Sequence, residues 1–393
     1  MKLLHISEHY APVGGAETYM LAVLDALEDR GHKNSVIYRQ EHARTVHRDG
    51  CQAFYVPEDS DSYQQIRQIV LEHDPDVIYL HLIYDPEVIR IAAALRPTVA
   101  YVHNFHPVCP GLGKYFRRVG RICQQSFNRA GCTLNIYLRR CASARHPLSV
   151  WRVLQSTAQQ QAAYHQVQHV LVASSYMKKV LGQNGFAPER VHVLPYFVDL
   201  PSEPTSVVPQ ESVPVVLYVG RVEWEKGVPY LIRAVSRIQI PFRLIVAGDG
   251  TRLGECRALA DRLGLADKIE FTGWLPRSEL VALYRRACLL AFPSIWPEPF
   301  GLTGPEAMAC GTPVVAFAVG GVTDWLEDGK NGFLVRPQDV EQLAHKIGTL
   351  LRDHELARKM GEYGRRRVLE EYAIDRHLEG LIKILRQAGE SDS

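Results

Sequence analysis

The sequence predicts an α/β protein of two domains, each built on a parallel sheet wrapped in helices, facing one another across a cleft. Three observations carry this. Short β-branched runs alternate with longer stretches of helical period through both halves of the chain, as in parallel sheets covered on both faces. The alternation pauses once, at DLPSEPTSVVPQESVP, a Pro- and Ser-rich stretch without helical period that reads as a linker. The length, 393 residues with 46% hydrophobic, is ample for two cores and large for one. The expected division is a first domain over 1–198, a linker over 199–213 and a second domain over 214–374. An amphipathic helix at about 375–388 follows, able to dock back on the first domain.

The elements follow in order. KLLHIS, NSVIYR, DVIYLHL, TVAYVH and HVLVAS read as buried strands of the first half, and VPVVLYVG, FRLIVAG, KIEFTG, CLLAFPS and TPVVAF as those of the second. Helices are expected between them, such as AETYMLAVLDALEDRG, which ends on Gly31, and TRLGECRALADRLGL. TSVVPQ (205–210) and the last few residues after Gly389 read as disordered.

The net charge is only +2, but its distribution is uneven. From Val88 to Pro188 there is no Asp or Glu, while the same window holds thirteen Lys and Arg, so the rest of the chain carries about −11. One part of the protein is suited to an anion or an anionic surface. The opening MKLLHISEHY has one Lys and an apolar run broken by His5 and Glu8, so no secretory signal is read there. No apolar run approaches a membrane span. The expected location is cytoplasmic, soluble or peripheral on the inner face of the cell membrane. Eight cysteines are too few for a disulfide scaffold.

Ligands of parallel α/β sheets sit at the carboxyl ends of strands, where loops lead into helix N-termini. After the first strand comes HYAPVGGAETYM, in which Gly14 and Gly15 permit close backbone approach and Glu17 falls in the next helix's first turn. A tight strand-to-helix turn explains a Gly-Gly pair equally. In the second half, Gly220 ends the first strand, and Arg221 and Lys226 in GRVEWEKG suit a diphosphate at a helix start, or are simply solvated. VAGDGTR, with Gly248 and Gly250, is a similar loop without the full GxGxxG fingerprint, so a nicotinamide dinucleotide is not indicated.

The stretch PEPFGLTGPEAMACGTPVV holds two glutamates, Glu298 and Glu306. Phe300, Gly301, Leu302 and Thr303 are expected in an exposed turn, with Thr303 as N-cap and Glu306 at N3 of a Thr-x-x-Glu capping box. Glu306 then either caps its own helix or accepts hydrogen bonds from ligand hydroxyls beside a phosphate held at the helix start.

Taken together, PVGGAE, VHNFHP, LPYFVD, GRVEWEKG, EFTGWLP and PEPFGLTGPEAMACGTPVVA stand in the order of the retaining glycosyltransferases of family 4, which the chain resembles over nearly its whole length. The resemblance implies a GT-B fold of two Rossmann-like domains and transfer of a sugar from a nucleotide-diphosphate sugar, UDP- or GDP-linked, to an acceptor hydroxyl, in polysaccharide or glycolipid synthesis. It implies that Glu306 binds the ribose, Glu298 the transferred sugar, and Arg221 and Lys226 the diphosphate, beside the amides of Gly301, Leu302 and Thr303. Phe271, Thr272, Gly273 and Trp274 lie where the base is held, and Gly15 approaches the diphosphate from the first domain. His103 matches the histidine that contacts the donor sugar, with His106 a second candidate; a strand-end histidine satisfied by backbone is the alternative. No DxD-like motif stands in the core, so metal-independent chemistry without a cofactor is expected, the cations and helix dipole stabilising the leaving group.

The acid-free window lies in the first domain, where such enzymes bind the acceptor. Lys114, Arg117 and Arg118 interleave with Tyr115 and Phe116, fitting an anionic acceptor or lipid headgroups; nucleic acid is not expected. Cys109, Cys123, Cys132 and Cys141 share that segment at spacings without a CxxC knuckle. Free buried thiols are expected, with a structural zinc as the alternative. The competing functions are a UDP-sugar 2-epimerase and a non-catalytic sugar-nucleotide-binding module. A glycosidase, the first thought for two carboxylates, has no use for diphosphate apparatus.

Overall fold

The ten expected strands all form. The computed structural model describes residues 1–46, 48, 50–198 and 213–390. In the first half these are β1 (Lys2–His9), β2 (Lys33–Gln40), β3 (Gln52–Tyr55), β4 (Val77–His81), β5 (Thr98–Val102), β6 (Tyr115–Phe116), β7 (Arg121–Ile122), β8 (His169–Val172) and β9 (Val191–Val193). The second half has β10 (Val215–Val219), β11 (Arg243–Ala247), β12 (Ile269–Gly273), β13 (Leu289–Phe292), β14 (Val314–Phe317) and β15 (Gly332–Val335). Strands buried on both faces read as unbroken apolar runs, and β4, β5, β10, β13 and β14 are buried at every residue.

Two parallel sheets result. The first has the order β3-β2-β1-β4-β5-β8-β9 and the second β12-β11-β10-β13-β14-β15. In each the order reverses beside the first strand, between β1 and β4 and between β10 and β13, which opens a crevice at the carboxyl ends there. β6 and β7 pair antiparallel as a separate hairpin.

The chain divides into two compact units, Met1–Tyr196 with Asp375–Ser393, and Phe197–Ile374. The expected linker, 199–213, lies outside the described residues apart from Val213, as do 205–210 and 391–393, expected to be disordered. Glu390, after Gly389, closes the last helix, Ile374–Glu390. That helix packs in the first unit because Leu378, Leu381, Leu385 and Ala388 recur at helical spacing and are fully buried. His377 on the same face donates from Nδ1 to the Pro195 carbonyl at 2.7 Å and lies 2.8 Å from the Tyr19 hydroxyl through Nε2. No described helix is long and apolar enough to cross a membrane.

Candidate donor-binding site

In the second unit, the loops after β10 and β13 lie on either side of the crevice. The first begins at Gly220, with φ of +146°, a conformation open to glycine. Its carbonyl touches the backbone of Gly248, where an added Cβ would fall 1.9 Å from that oxygen. The Tyr218 hydroxyl donates to the Arg221 carbonyl at 2.7 Å. The Arg221 side chain stays exposed, with Nη2 3.6 Å from Glu225.

A 3₁₀ turn, Trp224–Lys226, then brings Lys226 against the second loop. Its Nζ lies 2.8 Å from Glu298 Oε1, in an ion pair mostly removed from solvent, with side chains 20% and 6% exposed. The backbone fixes this approach. Ile295 N–H donates to the Glu225 carbonyl at 2.9 Å, and Gly321 N–H donates to the Glu298 carbonyl at 2.7 Å. The two residues expected to serve diphosphate and sugar separately therefore form one charged pair.

The turn from Phe300 to Thr303 departs from expectation in two ways. Phe300 is buried rather than exposed, and its carbonyl accepts from Trp325 Nε1 at 2.7 Å. The capping box does not form. Leu302 already has helical angles (φ −55°, ψ −31°), so the helix Thr303–Ala309 opens at Thr303 and no side chain caps it. Glu306 N–H is taken by the Leu302 carbonyl at 3.0 Å instead. No protein acceptor among the described residues takes the N–H groups of Gly301, Leu302 or Thr303. Three successive free amides are a concavity for an anion.

Freed from capping, the half-buried Glu306 accepts from the Tyr284 hydroxyl at 3.1 Å. Burial pushes its carboxyl above the usual range, while Arg277 and the Tyr284 bond pull it back. Behind this turn Gly304 packs on the buried Trp325, and a Cβ there would fall 2.2 Å from the indole. At the end of β12, Phe271 lies under the Arg257 guanidinium at 5.2 Å. Gly273, with φ of +74°, accepts from Gly248 N–H at 2.8 Å, Thr272 is half-buried, and Trp274 is 76% exposed.

In the first unit, Gly14 has extended angles open to any residue and precedes the helix Gly15–Glu28. A Cβ on Gly15 would meet nothing, so the fold does not demand glycine there. The two histidine candidates differ. His106 is bonded through both ring nitrogens, Nδ1 to Asn104 at 2.7 Å and Nε2 to the Tyr164 hydroxyl at 3.0 Å. His103 bonds the Tyr196 hydroxyl through Nδ1 at 2.7 Å and leaves a buried Nε2 without a partner among the described residues. Burial lowers both rings to about 3, so both are neutral.

Two acceptor-side expectations separate as well. Arg117 and Arg118 are exposed on the β6–β7 hairpin, but Lys114 is 2% exposed and donates to the Gln125 carbonyl. It braces the hairpin and is no part of a surface grip. The four cysteines of this segment are free thiols. Burial pushes Cys141 up to about 12, and the nearby Cys109, Cys123 and Cys132 add to it. Among the described residues no three His, Cys, Asp or Glu side chains group as a metal ion requires. The roles of Tyr196 and Tyr284 were not foreseen; LPYFVD contains the first, and no local pattern marks the second.

These features are those of an α/β protein of two units, each on a parallel sheet. The model of "Glycosyltransferase Family 4" matches residues 13–201 and that of "Glycosyl transferases group 1" residues 202–367. The chain belongs to this family. An uncharacterized glycosyltransferase of Methanocaldococcus jannaschii is 32% identical over 47% of this chain and 48% of its own length. D-inositol 3-phosphate glycosyltransferase of Mycobacterium sp. (strain KMS) is 43% identical over 36% of this chain and 33% of its own length. The chain thus matches at most about half the length of these curated relatives. The crystal structure of Anabaena Alr3699/HepE in complex with UDP superposes with a TM-score of 0.75 at 21% identity, covering 98% of this chain and 100% of that one. That likeness carries the fold, GT-B.

Proposed function

We propose that this protein is a retaining glycosyltransferase that moves a hexosyl group from a nucleotide-diphosphate sugar to an acceptor hydroxyl, without a metal ion or cofactor. One observation carries the reading: at the crevice of the second sheet, three free amides, Gly301 to Thr303, adjoin the Lys226–Glu298 pair. The amides and Lys226 hold the diphosphate, Arg221 adds an exposed cation, and Glu298 orients the sugar's hydroxyls. Glu306 has accepting capacity beyond Tyr284 for the ribose. The HepE structure, a complex with UDP, supports a nucleotide donor.

In the reaction the bond from the anomeric carbon to the diphosphate oxygen breaks, and its electron pair stays on that oxygen. The acceptor oxygen bonds the anomeric carbon on the same face, and its proton passes to the departing phosphate. Cations and amides aimed at the growing negative charge lower this barrier. His103 is neutral and, among the described residues, has a free Nε2 able to bond a sugar hydroxyl. A glycine at position 15 that the fold does not require leaves room for a ligand to approach the backbone.

The acceptor is anionic or lipid-linked, reached through the acid-free segment, and the enzyme works at the inner face of the membrane in polysaccharide or glycolipid synthesis. The mycobacterial relative is named for an anionic compound, D-inositol 3-phosphate.

A thermal-shift screen of UDP-, GDP- and ADP-sugars tests the donor. A bound donor at a hundred times its Kd stabilises by about 2.7 kcal/mol. Glu306→Gln separates function from stability. The Glu306 carboxyl is raised in the folded state, so its ionisation opposes folding as pH rises through that raised value. The variant therefore melts at or above wild type at neutral pH, loses that advantage in acid, and loses the donor shift. No shift with any nucleotide sugar sinks the reading. Conversion of a donor alone to its epimer would make the protein an epimerase.

A further inference from the structure

We infer that the helix Arg129–Arg139, with the first turn of Pro147–Tyr164, is a docking face for an anionic lipid bilayer. The helix is amphipathic in the reverse of the usual sense. Asn135 and Ile136 turn inward, Ile136 onto Val150 and Leu154 of the next helix. The outward face repeats at i, i+4, i+7 and i+8 with Ala130, Leu134, Tyr137 and Leu138, and the two leucines are 58% and 55% exposed. Arg129 bonds Gln155 at 2.8 Å and Arg145 reaches the Ile136 carbonyl, so the helices run antiparallel and Leu148 and Trp151 lie toward the carboxyl end of the first. Trp151 is 61% exposed and Leu148 60%. Large apolar side chains left exposed on two neighbouring helices are the material of an interaction site.

The charge around it selects the occupant. Arg139, Arg140 and Arg152 are exposed and belong to the window without Asp or Glu. Arg90 and Arg96 in that window find carboxylates, but among the described residues these three reach none, and Arg139 lies over the Phe116 ring at 4.6 Å. An apolar strip with an interfacial tryptophan and an arginine rim matches the boundary between acyl chains and anionic headgroups. A second copy of this chain would oppose one arginine rim with another.

This deepens the peripheral location proposed above but does not depend on the donor chemistry. The test is co-sedimentation of the full chain with phosphatidylcholine vesicles, with and without phosphatidylglycerol, at low and high salt. Binding to anionic vesicles only, weakened by salt, is expected, with a blue shift of tryptophan emission that Trp151→Phe removes. Arg140→Gln lowers affinity about fivefold, and Leu134→Ser with Leu138→Ser lowers it about tenfold or more. These positions are exposed, so melting and the donor thermal shift stay at wild type; retained donor binding separates failure here from failure of the proposed activity. No sedimentation at low salt overturns the inference. Sedimentation indifferent to these variants, or a dimer that they dissociate, overturns it too.

Discussion

Replacing Lys226 by methionine keeps most of the side chain's bulk and removes the cation 2.8 Å from Glu298. The carboxylate, 6% exposed, is then left with no counter-charge. Breaking a fully buried pair this way costs about 3–5 kcal/mol. Lys226 is 20% exposed, so water partly compensates and about 2–3 kcal/mol is expected. For a unit the size of Phe197–Ile374, that lowers Tm by about 4–12 °C. Glu298→Gln leaves an ammonium that reaches water and costs about 1 kcal/mol. The double variant removes both charges and melts above Lys226→Met, since no charge stays stranded. If the proposed donor roles hold, donor binding does not recover with it, because Lys226 no longer meets the diphosphate nor Glu298 the sugar. Urea or thermal melts with and without nucleotide sugar measure both quantities. A Lys226→Met protein as stable as wild type, or a double variant no better than that single one, refutes the coupling.

Gly304→Ala forces a methyl into the Trp325 indole and should cost about 1–3 kcal/mol by overpacking, read by denaturant melting; a wild-type midpoint would mean that the indole gives way freely. Acid should weaken the first unit selectively. Burial holds His5 and His377 at about 4 and His103 and His106 at about 3, against 6.5 unfolded. Stability from these neutral rings is complete above pH 6.5 and falls as pH drops toward those lower values, by about 1–2 kcal/mol per ring at pH 5. Calorimetry between pH 7.5 and about 5 should show the transition of the first unit move down; no relative movement would contradict the buried neutral state.

Central strands were legible because burial on both faces leaves unbroken apolar runs. β3, β9 and β15 were not: QAFY is mostly exposed at a sheet edge, VHV has three residues, and GFLV follows a turn without β-branched residues before its last position. Site loops announced themselves through glycines and prolines. The Lys226–Glu298 bond spans 72 residues and no local pattern encodes it. The capping box misled because Leu302 adopts helical angles, which Thr-x-x-Glu spacing cannot forbid. Lys114 counted as surface charge because a charge count cannot see an ammonium folded under its own hairpin.

The last helix has a bearing on how the chain is made. Tyr19, in the first helix, meets His377, 358 positions later, and Pro195 meets the same ring. Synthesis runs from the amino end, and a domain closes only when its last packing element is available. The half translated first must wait, with Tyr19 and the Pro195 carbonyl still lacking the His377 ring, while Phe197–Ile374 has every strand of its sheet in hand before that helix emerges. The order of completion is thus the reverse of the order of synthesis.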